Sequence, residues 1–193
     1  MHSTRSIVDN VFYKNITVTD FENESLEEAA LREAYIQKRA RRIIELVPDI
    51  YGVEDNTISM EYIKGNTLEK ILPSLNVEQI DSIIDNVIEK NYLLNNNGIY
   101  HNDLILSNID IDMENEVWLI DFGQAEFITG QEFITADVLD LRHIDEISRL
   151  ATDLRENMLR ITEYPELYLK DIQADWIYSD IMPKLLKTNI TIL

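Results

Sequence analysis

The chain has 193 residues, is 45% hydrophobic and carries a formal net charge of −19, from 36 acidic and 17 basic side chains. That length supports a buried core in one domain or two small lobes. The charge disfavours unaided binding to a nucleic-acid backbone, and the absence of cysteine excludes disulfides and thiolate metal sites. No stretch approaches the ~20 apolar residues of a membrane span, and MHSTRSIVDN lacks the apolar segment of a signal peptide. Metal ions and basic partner surfaces suit the acidity, as does plain solubility.

In chain order, SIVDNVFYKNI predicts two short strands around the Asp9-Asn10 turn, with Lys14 at the end of the second. SLEE is a capping box with Ser25 as N-cap and Glu28 at the third helical position. It opens a helix expected to reach about Leu46, with Pro48 stopping it. One face of that helix collects Leu26, Ala30, Glu33, Gln37, Ala40, Ile44 and Val47, so Glu33 projects along an apolar stripe. A buried carboxylate needs a cation or several donors. Lys14 is one candidate partner; Arg32 or Arg39 is the other.

NTISMEYIKGNTLEKIL predicts a strand from Thr57 to Tyr62, a turn at Lys64-Gly65 and a short helix from about Thr67. NVEQIDSIIDNVIEKNYLLNNNG predicts a long helix capped by Asn76 with Gln79 in the box position and ended by Gly98. Ile80, Ile84, Val87 and Leu94 form its core stripe. Two apolar segments follow, GIYHNDL and EVWLIDFG, with a turn at DMENE. From about Ala136 the pattern is helical: Val138, Leu141, Ile144, Ile147, Ala151, Leu154 and Met158 recur at helical spacing, and Pro165 and Pro183 interrupt later helices. Trp118 is expected in the core, and Trp176 in the C-terminal helices. The break between a small N-terminal part, 1–63, and a mostly helical part, 64–193, falls near Ile63-Gly65, a natural place for a ligand.

HNDLILSNIDIDMENEVWLIDFGQA is the chemically informative stretch. Asp103 precedes Asn108 by five residues, and Asp121 follows the apolar run VWLI. A hairpin brings the end of that run back beside the loop around Asp103. The bland reading is that these polar groups only make turns. The chemical reading is that the oxygens surround a hard divalent ion such as Mg2+, which takes oxygen ligands, waters and phosphates. The remaining Asp then accepts or orients a hydroxyl proton. Phosphoryl transfer requires these parts, because its catalysis is mainly positioning and charge neutralisation.

The pattern H-x-D-L-x-x-x-N followed by I-D-F-G resembles the catalytic and metal-binding loops of the protein-kinase-like fold. The resemblance implies an α+β, bilobal fold with a truncated N-terminal lobe and a mostly helical C-terminal lobe. It implies ATP and Mg2+ as cofactors, Asp103 as catalytic base or water-orienting group, and Asn108 and Asp121 as metal ligands. VFYK resembles the third-strand lysine segment, which makes Lys14 the phosphate-binding lysine and Glu33 its ion-pair partner. SMEYIKG resembles the gatekeeper and hinge, with Met60 behind the adenine pocket and the Glu61 and Ile63 backbones facing the base. His101 is implied to pack behind the metal loop, without a catalytic role.

LREAYIQKRARRI, ISMEYIKGNTLEKIL, HNDLILSNI and LIDFGQA together resemble the small atypical kinase of the KEOPS tRNA-modification complex, and IDFGQA also resembles its RIO-kinase relatives. This implies an atypical serine/threonine kinase or ATPase that supports tRNA threonylcarbamoyl-adenosine modification. The implied partner resembles the KEOPS catalytic subunit, with no nucleic acid bound by this chain alone and no membrane. The expected location is the cytoplasm, and also the nucleus in a eukaryotic cell. ITADVLDL resembles the segment after the metal loop, with Asp140 as a structural acid.

The departures are specific. Glycines stand only at 52, 65, 98, 123 and 130, so a Gly-rich loop is absent and the phosphate lid is missing, shortened or supplied by a partner. Asn102 replaces the family's usual Gly. The C-terminal PKLLKTNITIL carries only Lys184 and Lys187, and no A-P-E sequence follows Gly123. Two alternatives therefore stand beside the kinase: a non-catalytic kinase-fold binding module, and a small-molecule phosphotransferase.

Overall fold

A computed structural model describes residues 2–19, 21–127, 146–154 and 156–157. Strands β1 (His2–Val8) and β2 (Val11–Val18) form an antiparallel hairpin. Asp9 and Asn10 both take positive φ, 50° and 62°, which is the backbone a two-residue hairpin turn needs. Lys14 sits in the middle of β2 rather than at its end, because β2 runs on to Val18.

Helix α1 (Leu26–Arg41) begins with the expected reciprocal capping box: Ser25 Oγ accepts from the Glu28 N–H, and Glu28 accepts from the Ser25 N–H. It stops five residues short of Leu46, with the Arg42 and Ile43 amides turning back on Arg39 and Ala40. The β-branched pair Ile43-Ile44 propagates a helix poorly. Leaving the helix still buries Ile44 and Val47.

Strand β3 (Ile50–Glu54) pairs antiparallel with β4 (Thr57–Glu61) and completes a four-stranded sheet in the order β1-β2-β4-β3. Sequence reading missed β3. Gly52 interrupts its pattern, and the Asp55-Asn56 turn, with Asp55 at φ 50°, was the available signal. Next come β5 (Gly65–Thr67) and α2 (Leu68–Ile71), close to the short helix expected from Thr67.

The long helix is α3 (Val77–Asn96), with Asn76 and Gln79 forming its capping box. Gly98, at φ 73°, provides the left-handed turn that ends it. A short strand, β6 (Ile99–Tyr100), leads into the polar loop. β7 (Ile109–Asp112) and β8 (Val117–Leu119) form the hairpin, joined to β5 in the order β5-β7-β8. β9 (Glu126–Phe127) pairs with β6. Residues 146–154 are helical, and Ile147, Ala151 and Leu154 are buried as their spacing requires. Val138, Asp140, Leu141, His143, Ile144, Met158, Pro165, Trp176, Pro183, Lys184 and Lys187 lie outside the described residues. Trp118 is a correction: it sits on the outer, half-buried side of β8, donating Nε1–H to Asp112 at 2.8 Å.

Two apolar clusters organise the fold. The smaller holds Ile16, Ala29, Ala30, Ala34, Ile50, Ile58 and Met60 between the four-stranded sheet and α1. The larger gathers α2, α3 and the hairpin, and takes Ile36 and Ala40 from the second half of α1. Helix α1 therefore packs into both clusters, so it fixes the sheet relative to the hairpin. Among the described residues no helix is long and apolar enough to cross a membrane.

Candidate active site

The hairpin register places Arg5 opposite Lys14. Lys14 is 4% exposed, and its Nζ lies 2.7 Å from Glu33 Oε1 and 2.6 Å from Asp121 Oδ1. Glu33 is fully buried, so of the two partners open to it in the sequence the structure selects Lys14. Arg32 turns away from Glu33. It pairs with Glu24 at 2.7 Å and donates to the Gly123 and Ala125 carbonyls at 3.2 and 3.3 Å, which ties α1 to the loop after Asp121.

Asp121 has φ 64° and ψ 70°, a left-handed conformation held from both sides. The preceding Ile120 donates its N–H to the Asn108 carbonyl at 3.0 Å, and its own carbonyl lies 3.0 Å from His101 Nε2. His101 is fully buried with its ring centroid 4.7 Å from that of Phe122, the packing role expected of it. Asn108 Nδ2 donates to the Asp103 carboxylate at 2.8 Å and to the Asp103 carbonyl at 2.9 Å. The loop carrying Asp103 and Asn108 is thus joined through Ile120 to Asp121.

These charges influence one another. Burial works to raise the Asp121 pKa, but the Lys14 ammonium and then Arg5 hold it below the ordinary carboxylate range. Burial lowers Lys14, yet Glu33 and Asp121 together lift it above its usual value. Burial pushes Glu33 up against the pull of Lys14. The two shifts of the Lys14–Glu33 pair thus run opposite ways, one favouring and one opposing the charged form. Direct contact at 2.7 Å makes the ionised pair the species that fits this geometry.

A cleft opens over this cluster, lined by Lys14, Glu33, Met60, Glu61, Ile63 and Asp121 among others. Six of the sequence-predicted site residues therefore share one cavity. Asp103 and Asn108 pair with each other beside it and are not among its lining residues. Sequence reading missed three contributors. Arg5 reaches Asp121 Oδ2 at 2.8 Å; counting outward from a two-residue turn would have set it opposite Lys14. Asp110 also lines the cleft, its pKa raised by burial against Lys70 and Arg5. Glu146 is buried and accepts from Asn91 and Asn95 side chains at 3.0 Å each and from the Asn102 amide at 2.6 Å. No local signal in the sequence marked it, because its partners lie 44 to 55 residues away.

The cleft chemistry fits a nucleotide with a divalent ion. Phe12, Met60, Ile63 and Ile120 supply apolar wall, while two cations and a carboxylate gather at Asp121. Glu33 Oε2, buried, has no hydrogen-bond partner among the described residues. No cluster of three or more His, Cys, Asp or Glu that could hold a metal occurs among those residues. A Mg2+ carried by phosphates needs only one or two protein oxygens plus water.

A sheet-rich lobe, a helical lobe and a Lys–Glu–Asp cleft between two apolar clusters define a protein-kinase-like fold. The chain belongs to the protein kinase domain family, which matches residues 4–162. It is 34% identical over 137 residues to "KEOPS complex subunit Bud32" of Pyrococcus abyssi, covering 70% of this chain and 60% of that protein. It is 32% identical over 106 residues to "Probable bifunctional tRNA threonylcarbamoyladenosine biosynthesis protein" of Methanosarcina barkeri, covering 55% of this chain and 18% of that one. The chain thus spans less than two thirds of the first relative and less than a fifth of the second. In fold it is similar to the Rio2 kinase of Chaetomium thermophilum, solved as an ADP/Mg2+-phosphoaspartate complex, with a TM-score of 0.59 at 15% identity over 97% of this chain and 66% of that one. The expected kinase-like fold and the likeness to the KEOPS kinase are both borne out.

Proposed function

We propose that this chain binds ATP with Mg2+ in the cleft and acts as an atypical phosphotransferase or ATPase of the KEOPS-kinase type. The observation that carries the reading is the buried sequence of contacts Glu33 to Lys14 to Asp121, with Asp103 and Asn108 held alongside through Ile120. Lys14 offsets phosphate charge, and Glu33 holds its ammonium in place. The backbones of Glu61 and Ile63 face the base, and Met60 closes the pocket behind it. Asp103 orients a hydroxyl or water and takes its proton, its carboxylate aimed by Asn108 Nδ2. Asp121 and Asn108 would hold the Mg2+, which supplies charge neutralisation at the phosphates when bound. The two lobes, 1–63 and 64–193, bracket the nucleotide.

The likeness to a KEOPS complex subunit supports a protein partner similar to the KEOPS catalytic subunit. The second relative's name supports service to tRNA threonylcarbamoyl-adenosine synthesis. With a net charge of −19, tRNA contact through that partner is favoured over contact through this chain. A cytoplasmic site of action follows from the same role.

Turnover of radiolabelled ATP with Mg2+ tests the reading, alone and with a KEOPS catalytic subunit added. Loss of turnover in both Asp103→Asn and Asp121→Asn supports it, and dependence on the subunit supports the KEOPS role. Turnover that survives both substitutions rejects the assigned chemistry.

A further inference from the structure

We propose that Arg5 is a second phosphate-binding cation of the cleft, which gives up Asp121 for the phosphates when metal and nucleotide bind together; this rests on the nucleotide reading above. Arg5 and Lys14 are partners across the β1–β2 hairpin, so their side chains leave the sheet on one face, and both line the cleft. They end on the two oxygens of a single carboxylate, Lys14 on Oδ1 at 2.6 Å and Arg5 on Oδ2 at 2.8 Å.

The two cations are not equivalent. Lys14 is buried and held by a second carboxylate, Glu33. Arg5 is 51% exposed, and among the described residues its one ion-pair partner is Asp121. Each oxygen already carries a cation, so a divalent ion arriving at Asp121 meets two like charges and favours release of one of them. Releasing the exposed one costs least, because water solvates a freed surface guanidinium and no buried charge is left behind. The released guanidinium is a planar fork of N–H donors, the geometry that matches phosphate.

The hairpin itself contains no glycine, and its turn is Asp9-Asn10. Arg5 reaches the cleft from this hairpin through its side chain. Arg5 therefore acts twice. It competes with metal at Asp121 when the cleft lacks phosphate, and it adds to binding when phosphate is present. Metal and nucleotide then bind with positive coupling, each raising the affinity for the other.

The test is titration of the full chain, wild type, Arg5→Ala and Arg5→Lys, with Mn2+ alone, adenosine, and ADP with Mg2+. Thermal unfolding checks that the variants remain folded. Arg5→Ala is expected to bind ADP with Mg2+ roughly tenfold more weakly, the size of one charge-assisted hydrogen bond. It should bind Mn2+ alone more tightly and leave adenosine unchanged. Arg5→Lys, which keeps charge but loses the fork, falls between. Equal losses for adenosine and ADP would mean a structural role and overturn the proposal, as would unchanged ADP and Mn2+ binding. A wild type that binds neither adenosine nor ADP overturns the nucleotide reading itself, and this inference with it.

Discussion

Lys14 and Glu33 meet at 2.7 Å with side chains 4% and 0% exposed, nineteen residues apart in sequence and on different elements. Removing one member of such a pair leaves the other buried and uncompensated. Lys14→Met is therefore expected to lower unfolding free energy by about 3–5 kcal/mol. The double variant Lys14→Met/Glu33→Gln should recover much of that loss, since no unpaired charge remains. Urea unfolding midpoints of the two single variants and the double variant decide it. A double variant as unstable as the sum of the singles would show that the pair is not coupled.

Stability should also depend on pH through Asp121. Its folded pKa lies below its unfolded value of about 3.9, because Lys14 and then Arg5 outweigh the effect of burial. The sign follows by linkage: the contribution is present above the unfolded pKa and disappears as pH falls through the folded one. Asp121→Asn is expected to flatten that part of the acid limb between roughly pH 5 and 2. Unfolding free energies of both proteins measured across that window provide the comparison, and parallel curves would contradict the assignment.

Gly65 stands where β5 crosses closest to β7. A Cβ there would lie 2.1 Å from the Ile111 carbonyl oxygen and 2.8 Å from Asp112 Cα, both backbone atoms that cannot swing aside. Gly65→Ala should destabilise by about 3 kcal/mol, the upper end of overpacking costs. Gly52→Ala is the control: its Cβ would meet only Ser59 Oγ at 3.5 Å, an ordinary contact. Calorimetric midpoints should separate the two, and similar shifts would refute the steric account.

Glu146 connects the loop before Asp103 to α3. It receives the Asn102 amide at 2.6 Å, while Arg149 donates to the Asn102 carbonyl at 2.9 Å. Asn102 takes φ 61°, so these contacts hold a left-handed residue next to Asp103. Glu146→Ala should cost about 2–4 kcal/mol, from loss of a buried acceptor for three donors. It should also speed hydrogen exchange at the Asn102 amide. Unchanged protection there would mean that Glu146 does not position the loop.

Much of this was legible in the sequence. Both capping boxes, the Asp9-Asn10 turn, the β7–β8 hairpin and the two-lobe fold follow from local chemistry and spacing. The Lys14–Glu33 pair was legible as one of two options, because periodicity buries Glu33 without choosing its cation. What stayed hidden depended on register or on distant partners. Arg5 gains its place only when the hairpin sets it opposite Lys14. The strand β3 is masked by Gly52, and its pairing with β4 outweighs that weak local signal. Glu146 looks like any helical acid until Asn91, Asn95 and Asn102 surround it. The end of α1 was overshot because the chain leaves the helix at Arg42, at the β-branched pair Ile43-Ile44 and ahead of Pro48.

The central claim is a metal-assisted nucleotide site centred on Asp121. The most direct measurement is the unfolding free energy of wild type and Asp121→Asn with ATP, in Mg2+ and in chelator. The account predicts stabilisation of the wild type by about 2.7 kcal/mol at a hundred times the dissociation constant. It predicts a clear drop in chelator, and no difference between Mg2+ and chelator for the variant. Equal stabilisation of the wild type in both conditions, or none at millimolar ATP, would contradict it.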